Sequence, residues 1–153
     1  GPVVIYRDRS PEEIRDIYSI RFDDGQWRKP QAVATDGWRM PACPVNGPAI
    51  AAAGDSVWAA WYTAAGNMPS LRTAFSGNAG VRFTVSKTFK RGPEIQGRVD
   101  LAADAEGAWF FQNGPQRVYV ELEAAPQVWR IDALGVASHT GARVARVEGV
   151  AGA

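Results

Sequence analysis

The chain has 153 residues, enough for one domain around one core, and 46% are apolar against 22% charged, a globular balance. With 17 Lys and Arg against 16 Asp and Glu, the charge excludes binding by a strongly basic or acidic face, so no nucleic-acid partner is expected. No stretch approaches the about 18 consecutive apolar residues that a spanning helix needs, so no membrane span is expected either.

Gly1 and Pro2 read as the scar of tag removal and are set apart, leaving residues 3–153 as one unit. A leader lost with such a tag keeps a secreted or periplasmic location as the expectation. Val3–Arg7 and Ile17–Phe22 are short, rich in aromatic and β-branched residues, and predict strands. Between them, Ser10, Pro11 and Glu13 form a capping pattern ahead of Ile14. It is too short to hold a helix unaided, and either one helical turn or an irregular loop fits; the loop is preferred. Strands are then predicted at Ser56–Thr63, Ser70–Phe75, Phe83–Phe89, Ala108–Phe111, Arg117–Glu123 and Val128–Asp132, each bounded by turn residues. Short strands spaced by turns predict an all-β protein.

The segments repeat. Gly47–Gly66 and Gly97–Gly114 both start at Gly, pass through a small-residue strand, turn, and enter an aromatic strand, placing Trp58 opposite Trp109 at an offset of 51. Phe22–Val33 and Phe75–Phe89 both carry Phe, an Asp or Asn, Gly, an aromatic and a last strand, placing Trp27 opposite Phe83 at an offset of 56. A period of roughly 50 residues with four strands in each is the size of a propeller blade. The expected units are about 3–46, 47–96 and 97–153. An ordinary β-sandwich is the competing architecture, but it gives no reason for the period.

The stretch Ser76 to Phe83, SGNAGVRF, fits Ser-x-Asn-x-Gly-x-x-Phe. It resembles the Asp-box, Ser/Thr-x-Asp-x-Gly-x-x-Trp/Phe, of sialidase-like BNR-repeat β-propellers, here with Asn78 in place of Asp. Asp23, Gly25 and Trp27 look like a shortened copy. Such a turn has a physical sense. The Asn or Asp side chain folds back onto backbone N–H groups, Gly takes a conformation closed to other residues, and the aromatic packs between sheets. The resemblance implies a structural turn between the outer two strands, away from any ligand. It also implies bacterial relatives and six blades. Three blades leave two apolar end faces, so the chain is read as half of a ring. Either further chain completes it or two copies close as a homodimer, and the dimer is the reading adopted.

In such propellers the ligand face gathers the loops at the start of the inner strands. Here these are Arg7–Asp16, Gly37–Gly47, Tyr62–Pro69 and Glu94–Asp100. The resemblance implies an arginine cluster for a sialoside carboxylate, a Tyr nucleophile activated by a carboxylate, and an acid/base Asp. The candidate ligand contacts are Arg98 with Asp100, the hairpin group Arg7, Asp8, Arg15 and Asp16, then Asn46 and Trp38. Each has a plainer reading: ion pairs between blades, a solvated charged loop, an amide closing its own turn. Catalytic residues cannot be assigned, because the family's Arg-Ile-Pro motif is absent and no Tyr–Glu pair maps onto this chain.

Trp27, Trp58, Trp109 and Trp129 fall at equivalent strand positions and are expected in the core. Cys43, the single cysteine, is expected as a small buried side chain, with His139 too remote to activate it. No metal or other cofactor is expected. Two functions follow. One is a non-catalytic or half-site module for a glycan or protein partner. The other is an exo-sialidase-type glycoside hydrolase, or a fragment of one. The missing motifs favour the first.

Overall fold

The computed structural model describes residues 1–93, 95, 99–105, 107–112, 127–131 and 137–139. They form twelve strands in three four-stranded antiparallel sheets, with no α-helix. The first sheet contains β1 (Val3–Arg7), β2 (Ile17–Asp23), β3 (Gln26–Trp27) and β4 (Gln31–Ala34). The second runs in order through β5 (Ala49–Ala53), β6 (Ser56–Thr63), β7 (Ser70–Ser76) and β8 (Val85–Arg91). The third runs through β9 (Val99–Asp104), β10 (Gly107–Gln112), β11 (Gln127–Ile131) and β12 (Ala137–His139). The expected strands at Val3–Arg7 and Ser56–Thr63 form with those bounds; the one expected at Arg117–Glu123 lies outside the described residues. Three sheets stand where a sandwich would have two.

Alternation explains how the sheets pack. In β6, Trp58 and Ala60 point one way, and Ala59 and Trp61 the other. The first pair joins Leu71, Ile95, Leu101 and Ala108 in a core shared with the third sheet. The second pair joins Ile17, Val33, Ala34 and Ala74 in a core shared with the first. The second sheet is therefore covered on both faces. That is why Ser56–Thr63 reads as a nearly continuous apolar run rather than an alternating one.

The first sheet is built differently. β1 pairs with β2, while β3 and β4 both lie along the other edge of β2. The β2–β3 connection is a two-residue turn at Asp24 and Gly25, both at positive φ (48° and 75°), the turn that Asp-Gly favours in a hairpin. Trp27 follows it and is 51% exposed, against the core position expected from its pattern. It sits on a two-residue edge strand and rests edge-on against Phe22, with ring centroids 5.3 Å apart.

Ser10 to Ile14 form a loop, not a helical turn. Ser10 Oγ accepts hydrogen bonds from the Glu12 and Ile14 amides, both at 3.2 Å, as a cap would. Glu13, however, sits at φ 64°, which stops any helix there. Among the described residues no helix is long and apolar enough to cross a membrane.

Candidate functional site

The loops β1–β2 (8–16) and β4–β5 (35–48) and the end of β6 meet around two arginines. Arg7 ends β1. Its Nε donates to the Asn46 carbonyl at 3.2 Å, Nη1 to the Arg15 carbonyl at 2.9 Å and Nη2 to the Tyr62 carbonyl at 2.5 Å. Its guanidinium lies 4.9 Å from the centroid of the Trp38 ring, which meets Tyr62 edge-on at 5.7 Å. Burial, reinforced by the nearby Arg15 charge, lowers the Arg7 pKa to about 10, with Asp16 opposing.

Arg15 lies two residues ahead of β2. Its Nε donates to the Met40 carbonyl at 3.0 Å, and Nη2 to the Ala42 carbonyl at 2.8 Å and to Glu13 Oε2 at 2.9 Å. Backbone pairing reinforces the same junction. Arg15 N donates to the Trp38 carbonyl at 2.8 Å, and Met40 N to the Glu13 carbonyl at 2.9 Å. Asp16 Oδ1 accepts from Gly37 N at 2.8 Å. Each of these polar groups therefore ties one loop to another. Cations that donate to several backbone carbonyls at once stop a connector from fraying, because each carbonyl would otherwise be desolvated without a partner.

The candidate residues divide accordingly. Arg7, Arg15 and Asp16 come together; Asp8 contributes its backbone N–H to the Asp16 carbonyl at 2.8 Å. Trp38 is 8% exposed and buried beneath Arg7, a correction to its expected place on a ligand face. The reason is tertiary: the connector folds the ring inward against Tyr62. Asn46 offers its backbone carbonyl to Arg7. Asp100 lies on β9, away from this cluster, with Oδ1 accepting from Leu101 N at 2.8 Å. Arg98 lies outside the described residues. Cys43 is exposed and unpaired, against the buried position expected, because the loop that carries it bulges out between two prolines. Tyr6 and Tyr18 face each other across β1 and β2 with centroids 6.2 Å apart. Burial and the Asp8 charge push Tyr6 up from its ordinary pKa.

A second cluster escaped the sequence. Asp36 has a side chain that is 0% exposed. It accepts from Trp61 Nε1 at 2.7 Å and pairs with Arg72 Nη1, whose guanidinium lies over the Trp61 ring. Asp36 is on the β4–β5 connector, Trp61 on β6 and Arg72 on β7, so no spacing in the chain announces them.

The turn at the opposite end is self-contained. Ser76 Oγ accepts from Gly80 N at 3.1 Å and donates to Asn78 Oδ1 at 2.7 Å; that oxygen also accepts from Arg82 N at 3.0 Å. Ala79 and Gly80 take φ 54° and 75°. The turn joins β7 to β8 and docks on the first sheet, where Arg21 Nη1 reaches the Ala79 carbonyl and Phe83 packs in the shared core. Asp23, in the shortened copy, faces Arg28 and Arg21 at 3.5 and 3.8 Å. Among the described residues no group of three or more His, Cys, Asp or Glu could hold a metal.

One family model matches. It is described as a protein of unknown function (DUF2946), and it covers residues 98–151, about a third of the chain. No curated protein and no solved structure matches.

Proposed function

We propose that the chain is a portion of a sialidase-like β-propeller that serves as a binding or assembly module, without catalysis of its own. Three features support the reading. Four-stranded sheets follow one another along the chain and stack through shared cores. A turn of Asp-box type closes the outer pair of strands in the second sheet and docks on the first. The expected period of roughly 50 residues agrees with that spacing.

The observation that carries the non-catalytic part is the use of Arg7. Three of its N–H groups are committed to backbone carbonyls, and Arg15 is bonded in the same way. An arginine that grips a substrate carboxylate needs its planar fork free. Here the forks hold loops.

The test combines mass in solution with release of fluorophore from a sialoside. The expected result is a two-chain particle by light scattering and no release above the blank. Release that disappears on mutating a buffer-facing arginine would establish the hydrolase instead. A monomer at all concentrations would remove the half-ring dimer.

A further inference from the structure

Asn46 and Gly47 are neighbours in the β4–β5 connector, just ahead of Pro48. In an Asn-Gly pair the main-chain nitrogen reaches the preceding side-chain amide with least hindrance, because glycine has no Cβ to block the approach. Gly47 is exposed, and a Cβ built on it would meet nothing within 4 Å. Among the described residues the Gly47 amide donates to no backbone carbonyl.

The peptide group between the two residues is gripped at its oxygen. Arg7 Nε donates to the Asn46 carbonyl at 3.2 Å. Two further N–H groups of the same guanidinium are fixed on the Arg15 and Tyr62 carbonyls, so the donor is held on that oxygen. Arg7 stays cationic at neutral pH, since its pKa, though lowered, is about 10. A cationic donor on a carbonyl oxygen does two things to that peptide group. It stabilises the negative charge that collects on the oxygen when the nitrogen loses its proton. It also makes the carbonyl carbon the better target for water.

We propose that Asn46 is a self-modifying site, converted to isoaspartate through a cyclic imide, with Arg7 promoting ring closure and directing ring opening. Gly47 N gives up its proton and attacks Asn46 Cγ. The N–Cγ bond forms, the Cγ–Nδ2 bond breaks, and the side-chain amide leaves as ammonia, taking up one proton in place of the one Gly47 lost. Water, the co-reactant, then opens the imide. Attack at the carbon that Arg7 polarises breaks its bond to Gly47 N and leaves the main chain running through Cβ and Cγ. The former main-chain carbonyl becomes a free carboxylate, and its oxygen is the one Arg7 Nε already holds. The joint keeps its contact, and a bond to a neutral carbonyl becomes an ion pair. Attack at Cγ instead gives ordinary aspartate and leaves Arg7 on a neutral acceptor. The inference does not depend on the propeller reading.

The intact chain is aged in mildly alkaline buffer at body temperature beside a synthetic peptide of residues 41–52. Products at position 46 are resolved by mass spectrometry against aspartyl and isoaspartyl standards. Asn113, in the same Asn-Gly-Pro triplet, is mapped separately. The expected result is conversion of Asn46 in the folded chain, with an isoaspartate-to-aspartate ratio about fivefold above the peptide's. In denaturing urea the parent chain should return to the peptide's ratio. Gly47→Ala, which the open space admits, should slow the conversion several-fold without lowering the melting temperature. Arg7→Lys, with folding checked by Trp fluorescence, should bring the ratio down to the peptide's. Three outcomes overturn the proposal. One is an unchanged Asn46 in the folded chain over the time that converts the peptide. Another is a folded-chain ratio equal to the peptide's, whatever the variants do. The third is a folded Arg7→Lys chain that keeps the parent's ratio.

Discussion

The guanidinium of Arg7, at the end of β1, lies 4.9 Å from the centre of the Trp38 ring on the β4–β5 connector. Stacking, three carbonyl bonds and the edge of Tyr62 make this the joint between the first and second sheets. Its chemistry is that of a fastener, and it makes definite demands on substitution.

Arg7→Ala should destabilise the protein by about 2–4 kcal/mol, since it leaves buried carbonyls unpaired and uncovers Trp38. Arg7→Lys should recover less than half of that, because an ammonium cannot reach three divergent acceptors. Urea unfolding followed by Trp fluorescence measures both. Unchanged midpoints would return Arg7 to the role of a free ligand contact.

Gly80 answers to two constraints together. Its φ is 75°, and a Cβ there would lie 2.8 Å from Val3 Cγ2. Gly80→Ala is expected to cost about 1–3 kcal/mol. Adding Val3→Ala should restore the part due to the clash and leave the part due to the backbone. Gly77→Ala, where the nearest atom to a Cβ is at 3.5 Å, should cost much less. Thermal unfolding of the three variants beside the parent chain separates the terms.

Asp36 is the most deeply buried carboxylate of the described ion pairs, and Asp36→Ala removes the acceptor of the Trp61 N–H and the ion pair with Arg72. A loss of about 3 kcal/mol is expected. The double variant Asp36→Ala with Arg72→Met should be destabilised by less than the sum of the two single variants, because either single change already breaks the ion pair. Denaturation of the pair as a double-mutant cycle reads the coupling. Strict additivity would show that the two side chains do not interact.

Glu13 sets a pH dependence. Its hydrogen bond from Arg9, aided by the charges of Arg9, Arg15 and Arg39, holds its carboxyl below the ordinary Glu value. A carboxyl with a lowered folded pKa favours the fold above its unfolded value and loses that contribution as pH falls through the folded one. The melting temperature should therefore fall on acidification from about pH 6 to pH 3, and Glu13→Gln should flatten part of the slope. Parallel slopes for the two proteins would remove Glu13 from the loop junction.

Local pattern carried the strands well. Val3–Arg7 and Ser56–Thr63 are legible because β-branched and aromatic residues crowd together between turn residues, and that depends on neighbours in the chain alone. The turn at Ser76–Gly80 is legible for the same reason: its donors and acceptors lie within six residues. Side-chain direction was not. Trp27 reads as a core aromatic and Trp38 as a candidate ligand contact, yet the first is half exposed on a short edge and the second is sealed beneath Arg7. Cys43 reads as a small apolar residue and stands in the open.

From its sequence alone the chain determined an all-β build and a turn that closes on itself, because each depends on steric preference and hydrogen bonding over a few neighbouring residues. Only the tertiary structure decided that Arg7 and Arg15 bind carbonyls and that Asp36 meets Trp61 and Arg72. Those outcomes depend on which loops the stacked sheets bring within about 3 Å of one another, and a hydrogen bond across 25 to 55 residues leaves no periodic trace in the chain.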